Sequence, residues 1–115
     1  MNIEAHVMQW LNNLDLSYSA YVDMPAEVPE EFVVVKRIGG RRDSVVIDRP
    51  RIALQLWAAS NARAAEIAYQ IDELVTQLAQ DSRISKVSRD VLYSYEAADS
   101  GHARYQIELD IVCVM

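Results

Sequence analysis

Asp43 and Asp48 bracket Ser44–Ile47, and two carboxylates close in sequence are one way a nuclease site holds Mg²⁺. Arg41, Arg42, Arg49 and Arg51 each lie within six residues of one or the other, so local ion pairing is the simpler role. His6 and His102 are the only histidines, and neither sits in HExxH or in a Cys/His spacing suited to zinc. Both read as ordinary surface or edge residues. Cys113, the single cysteine, follows the alternation of Leu109 and Ile111. A nucleophilic thiol needs a neighbouring base or a helix N-terminus, so Cys113 reads as a small buried hydrophobe. Gly39-Gly40 matches neither GxGxxG nor the P-loop spacing, and no helix follows it. The sequence nominates no catalytic residue, no metal ligand and no cofactor site.

Binding is the remaining class of function. Lys36, Arg37, Arg41, Arg42, Arg49 and Arg51 are six of the eleven basic residues, gathered into one short stretch of a chain whose net charge is -6. Three roles are open to them: a solvated face, a contact with carboxylates of another chain, or a contact with nucleic-acid phosphates. Arginine outnumbers lysine, and its planar fork suits a contact role. No aromatic residue is interleaved with the cluster, so base stacking is unsupported. Just upstream, Asp23, Glu27, Glu30 and Glu31 give the opposite charge. A molecule with both signs on two projecting parts is suited to head-to-tail pairing with copies of itself. The interface residues expected on this ground are Lys36, Arg37, Gly39, Gly40, Arg41, Arg42, Asp48, Arg49 and Arg51, with Glu27, Glu30 and Glu31 opposite them.

The elements that carry these groups follow from periodicity. Ile3, Val7, Trp10, Leu11 and Leu14 share one helical face behind Asn2, a good N-cap. A short extended piece, Tyr18 to Val22, precedes a loop broken by Pro25 and Pro29. Phe32–Ile38 is β-branched and aromatic, Gly39-Gly40 reads as a turn, and Ser44–Ile47 reads as a short returning strand that Asp48-Arg49-Pro50 breaks. Arg51–Ala58 alternates with little polarity on either face, as an interior strand would. Ser60 or Asn61 caps the strongest helix, whose apolar positions run from Ala64 to Leu78. Two strands finish the chain, within Ile84–Glu96 and Arg104–Met115, joined by a connection over 97–103. In the last, Tyr105, Ile107, Leu109, Ile111 and Cys113 face the core and Gln106, Glu108 and Asp110 face water.

At 115 residues and 51% hydrophobic, one domain over 1–115 is expected. Its order predicts an α+β two-layer fold: a mixed, mostly antiparallel sheet with two helices on one face. No apolar run is long enough for a membrane helix. The N-terminus lacks the marks of a secretory signal, and the lone cysteine suits a reducing interior, so a cytoplasmic site of synthesis is expected.

The order Phe32–Gly40, then Asp48-Arg49-Pro50, then Trp57-Ala58 leading into an alanine-rich helix, resembles the tail terminator or tail-completion proteins of long-tailed (siphovirus-like) phages. The tail terminator of phage lambda belongs to that class. The likeness is tightest over 32–75. It implies a structural virion protein of the tail or neck, made in the host bacterium, that assembles as a hexameric ring. Such a ring caps the tail tube, ends its polymerisation and offers the head-tail joining surface. Its partners would be copies of itself, the tube protein, connector proteins, and genomic DNA threading the hole without sequence-specific contact. It would be no enzyme. The arginines would then meet tube carboxylates in preference to DNA, because strong phosphate attraction would slow the passing genome. The alternative is a small nucleic-acid-binding module that uses residues 36–51.

Overall fold

Asn2 opens the first helix as its sequence position suggests. Its Oδ1 accepts from the Ala5 N–H at 3.1 Å, and α1 runs Ile3–Asn12 with Ile3, Val7 and Leu11 buried. The computed structural model describes residues 1–95 and 102–115. After α1 come β1 (Ser19–Tyr21), β2 (Phe32–Arg42), β3 (Ile47–Ala58), α2 (Asn61–Leu74), a 3-10 segment (Val75–Gln80), β4 (Ile84–Tyr95) and β5 (Ala103–Val114). The strands form one sheet in the order β1-β2-β3-β5-β4; β1 lies parallel to β2 and every other pair is antiparallel. This is the expected α+β two-layer fold with a mixed sheet. Most of the expected connection over 97–103 lies outside the described residues.

β3 is the central strand, and its two faces have different companions. Ile52, Leu54 and Leu56 join Val33, Val35, Ile107, Leu109 and Ile111 under the buried faces of α1 and α2. Each large aliphatic side chain removed from water there contributes about 1.5–3 kcal/mol. Ala64 and Ala68, both fully buried, let α2 lie close to the sheet. Ser60 caps it, its Oγ accepting from the Arg63 N–H at 3.2 Å. Beyond Leu74 the helix tightens to 3-10 geometry, which keeps Val75 and Leu78 on one side so that both stay buried. Tyr18 reaches α2 by donating to Gln70 Oε1 at 2.7 Å, and burial pushes its phenol up to about 12. The Asn12 side chain pairs with both backbone groups of Ala20, at 2.8 and 3.1 Å, and so occupies part of the β1 edge.

Two expectations about the hairpin are corrected. Gly39-Gly40 is not its turn: both residues lie inside β2, at a bulge between Arg37 and Gly39, and the chain reverses at 43–46. The positive φ is real, at +90° on Gly40, but it serves a strand position just past the bulge, paired with Pro50, where β3 comes too close for a Cβ. Nor does Asp48-Arg49-Pro50 break a strand. β3 passes through it, with Pro50 opposite Gly40; the ladder to β5 skips from Asp48 to Arg51, where proline has no N–H to donate. β5 also follows β3 as far as Ile47, so the hairpin is no free arm and only its turn projects.

Candidate protein-interaction surfaces

The six cations of the hairpin divide sharply by partner. Arg37 sends both terminal nitrogens to Asp48, at 2.7 and 2.9 Å. Arg51 reaches Asp90, Glu108 and Asp110 at 2.6 to 2.9 Å. Lys36 pairs with Asp23 at 2.8 Å, and Asp43 takes both Arg41 and Arg49. These bonds hold the Asp43 carboxyl below the usual range, chiefly through Arg49, and the Asp48 carboxyl likewise through Arg37. Arg42 alone of the six has no carboxylate partner among the described residues; it donates to the Ser44 and Val45 carbonyls at 3.1 Å. Among the acidic residues, Glu31 takes a forked pair from Arg63, while Glu27 and Glu30 are exposed with no ion-pair partner among the described residues. Arg37, Asp48, Arg51 and Glu31 thus tie the fold together, and Arg41, Arg42, Glu27 and Glu30 stand outward.

The hairpin turn itself has an apolar crest that charge reading overlooked. Val45 is 81% exposed and Val46 57%. The crest is nonetheless fixed. Ser44 Oγ accepts from the Val46 and Ile47 N–H groups at 3.2 and 3.1 Å. The Met115 N–H donates to the Val46 carbonyl at 2.8 Å.

At the other end of the sheet, on the face away from the helices, aromatic and cationic groups line up across four strands. Phe32 stacks on Trp57 with centroids 5.7 Å apart and planes 4° from parallel. The Arg104 guanidinium lies 5.2 Å from the Trp57 centroid and 3.8 Å from that of Tyr95. Cross-strand register makes this row: Phe32 faces Trp57, Trp57 faces Arg104, and Arg104 faces Tyr95. Below it, Gln106 Nε2 donates to Tyr93 and Glu108, and the Tyr93 hydroxyl donates to Glu108 at 2.7 Å. Trp57 Nε1 and Arg104 Nε, both buried, have no hydrogen-bond partner among the described residues. Met24 and Val28, half exposed, meet Phe32, Trp57 and His102 around an open groove of about 400 Å³. His102 stands edge-on to both rings, at 6.1 and 6.4 Å.

The remaining candidates are placed away from both surfaces. His6 Nε2 lies 3.0 Å from Asp81 and ties α1 to the turn before β4. Cys113 is buried beside Asp48 in the β3–β5 register, and burial pushes its thiol up. Asp43 and Asp48 are occupied by arginines, and no cluster of three or more His, Cys, Asp or Glu that could hold a metal ion occurs among the described residues. Among these residues, no helix is long and apolar enough to cross a membrane. The chain matches no protein-family model and no curated protein at a significant level.

Local pairing bears directly on the nucleic-acid alternative. Phosphate binding releases about 0.9 counterion per neutralised charge, and a cation already held by a carboxylate releases little. Within the hairpin, among the described residues, Arg42 is the one cation without a carboxylate and Arg41 the most exposed of the paired ones, so duplex DNA is expected to bind this stretch weakly, with a log-log salt slope of about -1 to -2. Anisotropy titrations across salt concentrations read the slope; a value near -5 would restore the nucleic-acid module.

Proposed function

We propose that this chain is a structural virion protein: a small subunit that closes into a ring on the end of a phage tail tube, stops its growth and presents the surface for head joining. The motif order of the sequence motivates the phage assignment. The observation that carries the assembly reading is the pair of outward surfaces at opposite ends of one ladder. An apolar, cationic crest lies beyond Arg42, and an apolar groove beside exposed carboxylates lies beyond Phe32. A single copy cannot satisfy both. Contacts between unlike patches repeat from copy to copy and close into rings when the rotation allows. A hexamer, the tube protein, connector proteins and DNA passing through the hole complete the proposal, with no catalytic step and no cofactor. The test is deletion of the gene from its phage or prophage, followed by electron microscopy. Overlong or headless tails are the expected result, and tails of normal length joined to heads would sink the reading.

A further inference from the structure

We infer that the crest of the β2–β3 hairpin, Val45 and Val46, seats in the Met24–Val28–Phe32–Trp57 groove of the next copy, with Arg41 and Arg42 facing that copy's Glu27 and Glu30. The inference rests on the ring reading and gives the crest to a neighbouring subunit rather than to the tube.

Among the described residues, neither surface meets within its own chain what the other offers. Val45 and Val46 are a compact apolar knob held out in water, and the groove is a concave apolar surface with two half-exposed aliphatic side chains on its lip. Charge matches in the same sense. Arg42 stands beside the knob without a carboxylate partner among the described residues; Glu27 flanks Val28, and Glu30 lies two residues before Phe32. Ten residues of strand separate Phe32 from Arg42, about 33 Å at ~3.3 Å per residue, in a molecule 42 Å long. The two surfaces therefore cannot meet in one copy, and the contact joins two copies. A crest-to-crest dimer would bring Arg41 and Arg42 against their own like charges; a reciprocal two-fold pair makes the same crest-to-groove contact twice, and the ring reading selects the head-to-tail form of it.

The crest is also prepared for docking. Ser44, the Met115 N–H and the guanidinium of Arg42 hold its backbone before any partner arrives. Little ordering remains to oppose association, since a fixed loop has already lost the freedom that binding removes. In the groove, Phe32 and Trp57 are already buried, and seated aliphatic groups would cover the exposed flanks of Met24 and Val28 above them.

Cysteine pairing tests the contact directly. A Val45→Cys protein is mixed with a Val28→Cys protein of distinguishable mass and oxidised mildly; buried Cys113 stays in place. A seated crest holds the two thiols at roughly millimolar effective concentration, so the mixed disulfide is expected to exceed either homodimer about tenfold. Adding Met24→Lys to the Val28→Cys chain puts a cation in the groove against the cationic crest and should remove that excess while leaving the monomer folded, since Met24 is half exposed. A statistical mixture of disulfides overturns the inference, as does a dominant 45-to-45 product. Cross-linking of the crest to tube protein in assembled tails, with no self-preference, also overturns it. Overlong tails on gene deletion together with statistical cross-links would keep the terminator reading and remove this contact. Specific cross-links together with normal tails would do the reverse.

Discussion

Replacing Gly40 with alanine is expected to lower stability by about 2–5 kcal/mol, whereas the same change at Gly39 is expected to be close to neutral. The two residues are neighbours in one strand, and their surroundings are opposite. A Cβ on Gly40 would stand 2.0 Å from the Arg49 carbonyl oxygen and 2.7 Å from the Arg51 nitrogen. Both are backbone atoms of β3, so no side chain can swing aside and the ladder itself must open. The φ of +90° adds strain that any L side chain would feel. A Cβ on Gly39 meets nothing within 4 Å. There the loss of unfolded-state freedom can even favour the alanine variant by a few tenths of a kcal/mol. In a domain with about 5–15 kcal/mol of total stability, the Gly40 change is a large fraction. Thermal unfolding of both variants reads the contrast; equal melting temperatures would mean that the bulge is not built this way. Because the bulge sets the direction of the hairpin end, Gly40→Ala should also depress the Val45–Val28 cross-link more than its loss of stability alone explains.

That contrast also marks where the sequence could be read and where it could not. Asn2 and Ser60 announce their helices because a cap is a local bond, made three residues away. The core face of β5 is legible because Ile107, Leu109 and Ile111 alternate strictly against Glu108 and Asp110. Gly39-Gly40 misleads because a left-handed glycine serves a turn and a close approach between strands equally, and only the partner strand decides. Pro50 misleads for a related reason, since the donor it lacks falls where the β3–β5 ladder is interrupted anyway. Tertiary pairing was the least visible. The partners of Arg51 lie 39, 57 and 59 residues along the chain, so a stretch that looks like a bare cationic patch proves mostly neutralised. The groove was hidden too. Trp57 and Phe32 read as ordinary strand aromatics, and only the register sets them face to face with Arg104 and Tyr95 in the same row. Val45 and Val46 read as part of a returning strand, although both stand exposed at the turn.

The neutralised base and the uncovered crest belong to one design. Intrachain carboxylates hold the lower hairpin cations, which stiffens the ladder beneath the crest and leaves charge for partners only near the turn. The proposed ring subunit would gain from this arrangement. Pairing with a copy needs a rigid offset between knob and groove, because any flexing of the 33 Å lever, taken at ~3.3 Å per residue, would blur the rotation on which closure depends.

The Arg37–Asp48 pair is the part of that base with the most at stake, and its two partners should not be equivalent. Asp48 is 4% exposed, while the Arg37 side chain keeps 33% of its surface in water. Removing Asp48 leaves a guanidinium that can turn outward and hydrate. Removing Arg37 strands a carboxylate in the wall of the core beside Cys113, which is the costly direction, about 3–5 kcal/mol. Arg37→Leu is therefore expected to destabilise more than Asp48→Asn, and Arg37→Leu with Asp48→Leu to recover much of the loss, because the desolvated charge goes with its partner. The pH dependence should change with the pair. In the native protein Arg37 holds the Asp48 carboxyl below its ordinary value. The folded state then binds that proton less readily than the unfolded chain. The pair's contribution is complete above the unfolded carboxyl value of about 4 and is lost as pH falls through the lower folded value. In Arg37→Leu the carboxyl keeps its burial and loses its largest stabiliser, retaining only the Arg49 N–H and the field of Arg42, so its folded value moves up and the deficit relative to native shrinks as acid supplies the proton. Urea unfolding of the native protein and the three variants at pH 7 and near pH 4 checks both statements. A deficit for Arg37→Leu that stays constant between those pH values would show that Asp48 is hydrated rather than enclosed, and the hairpin base would lose its anchor in the core.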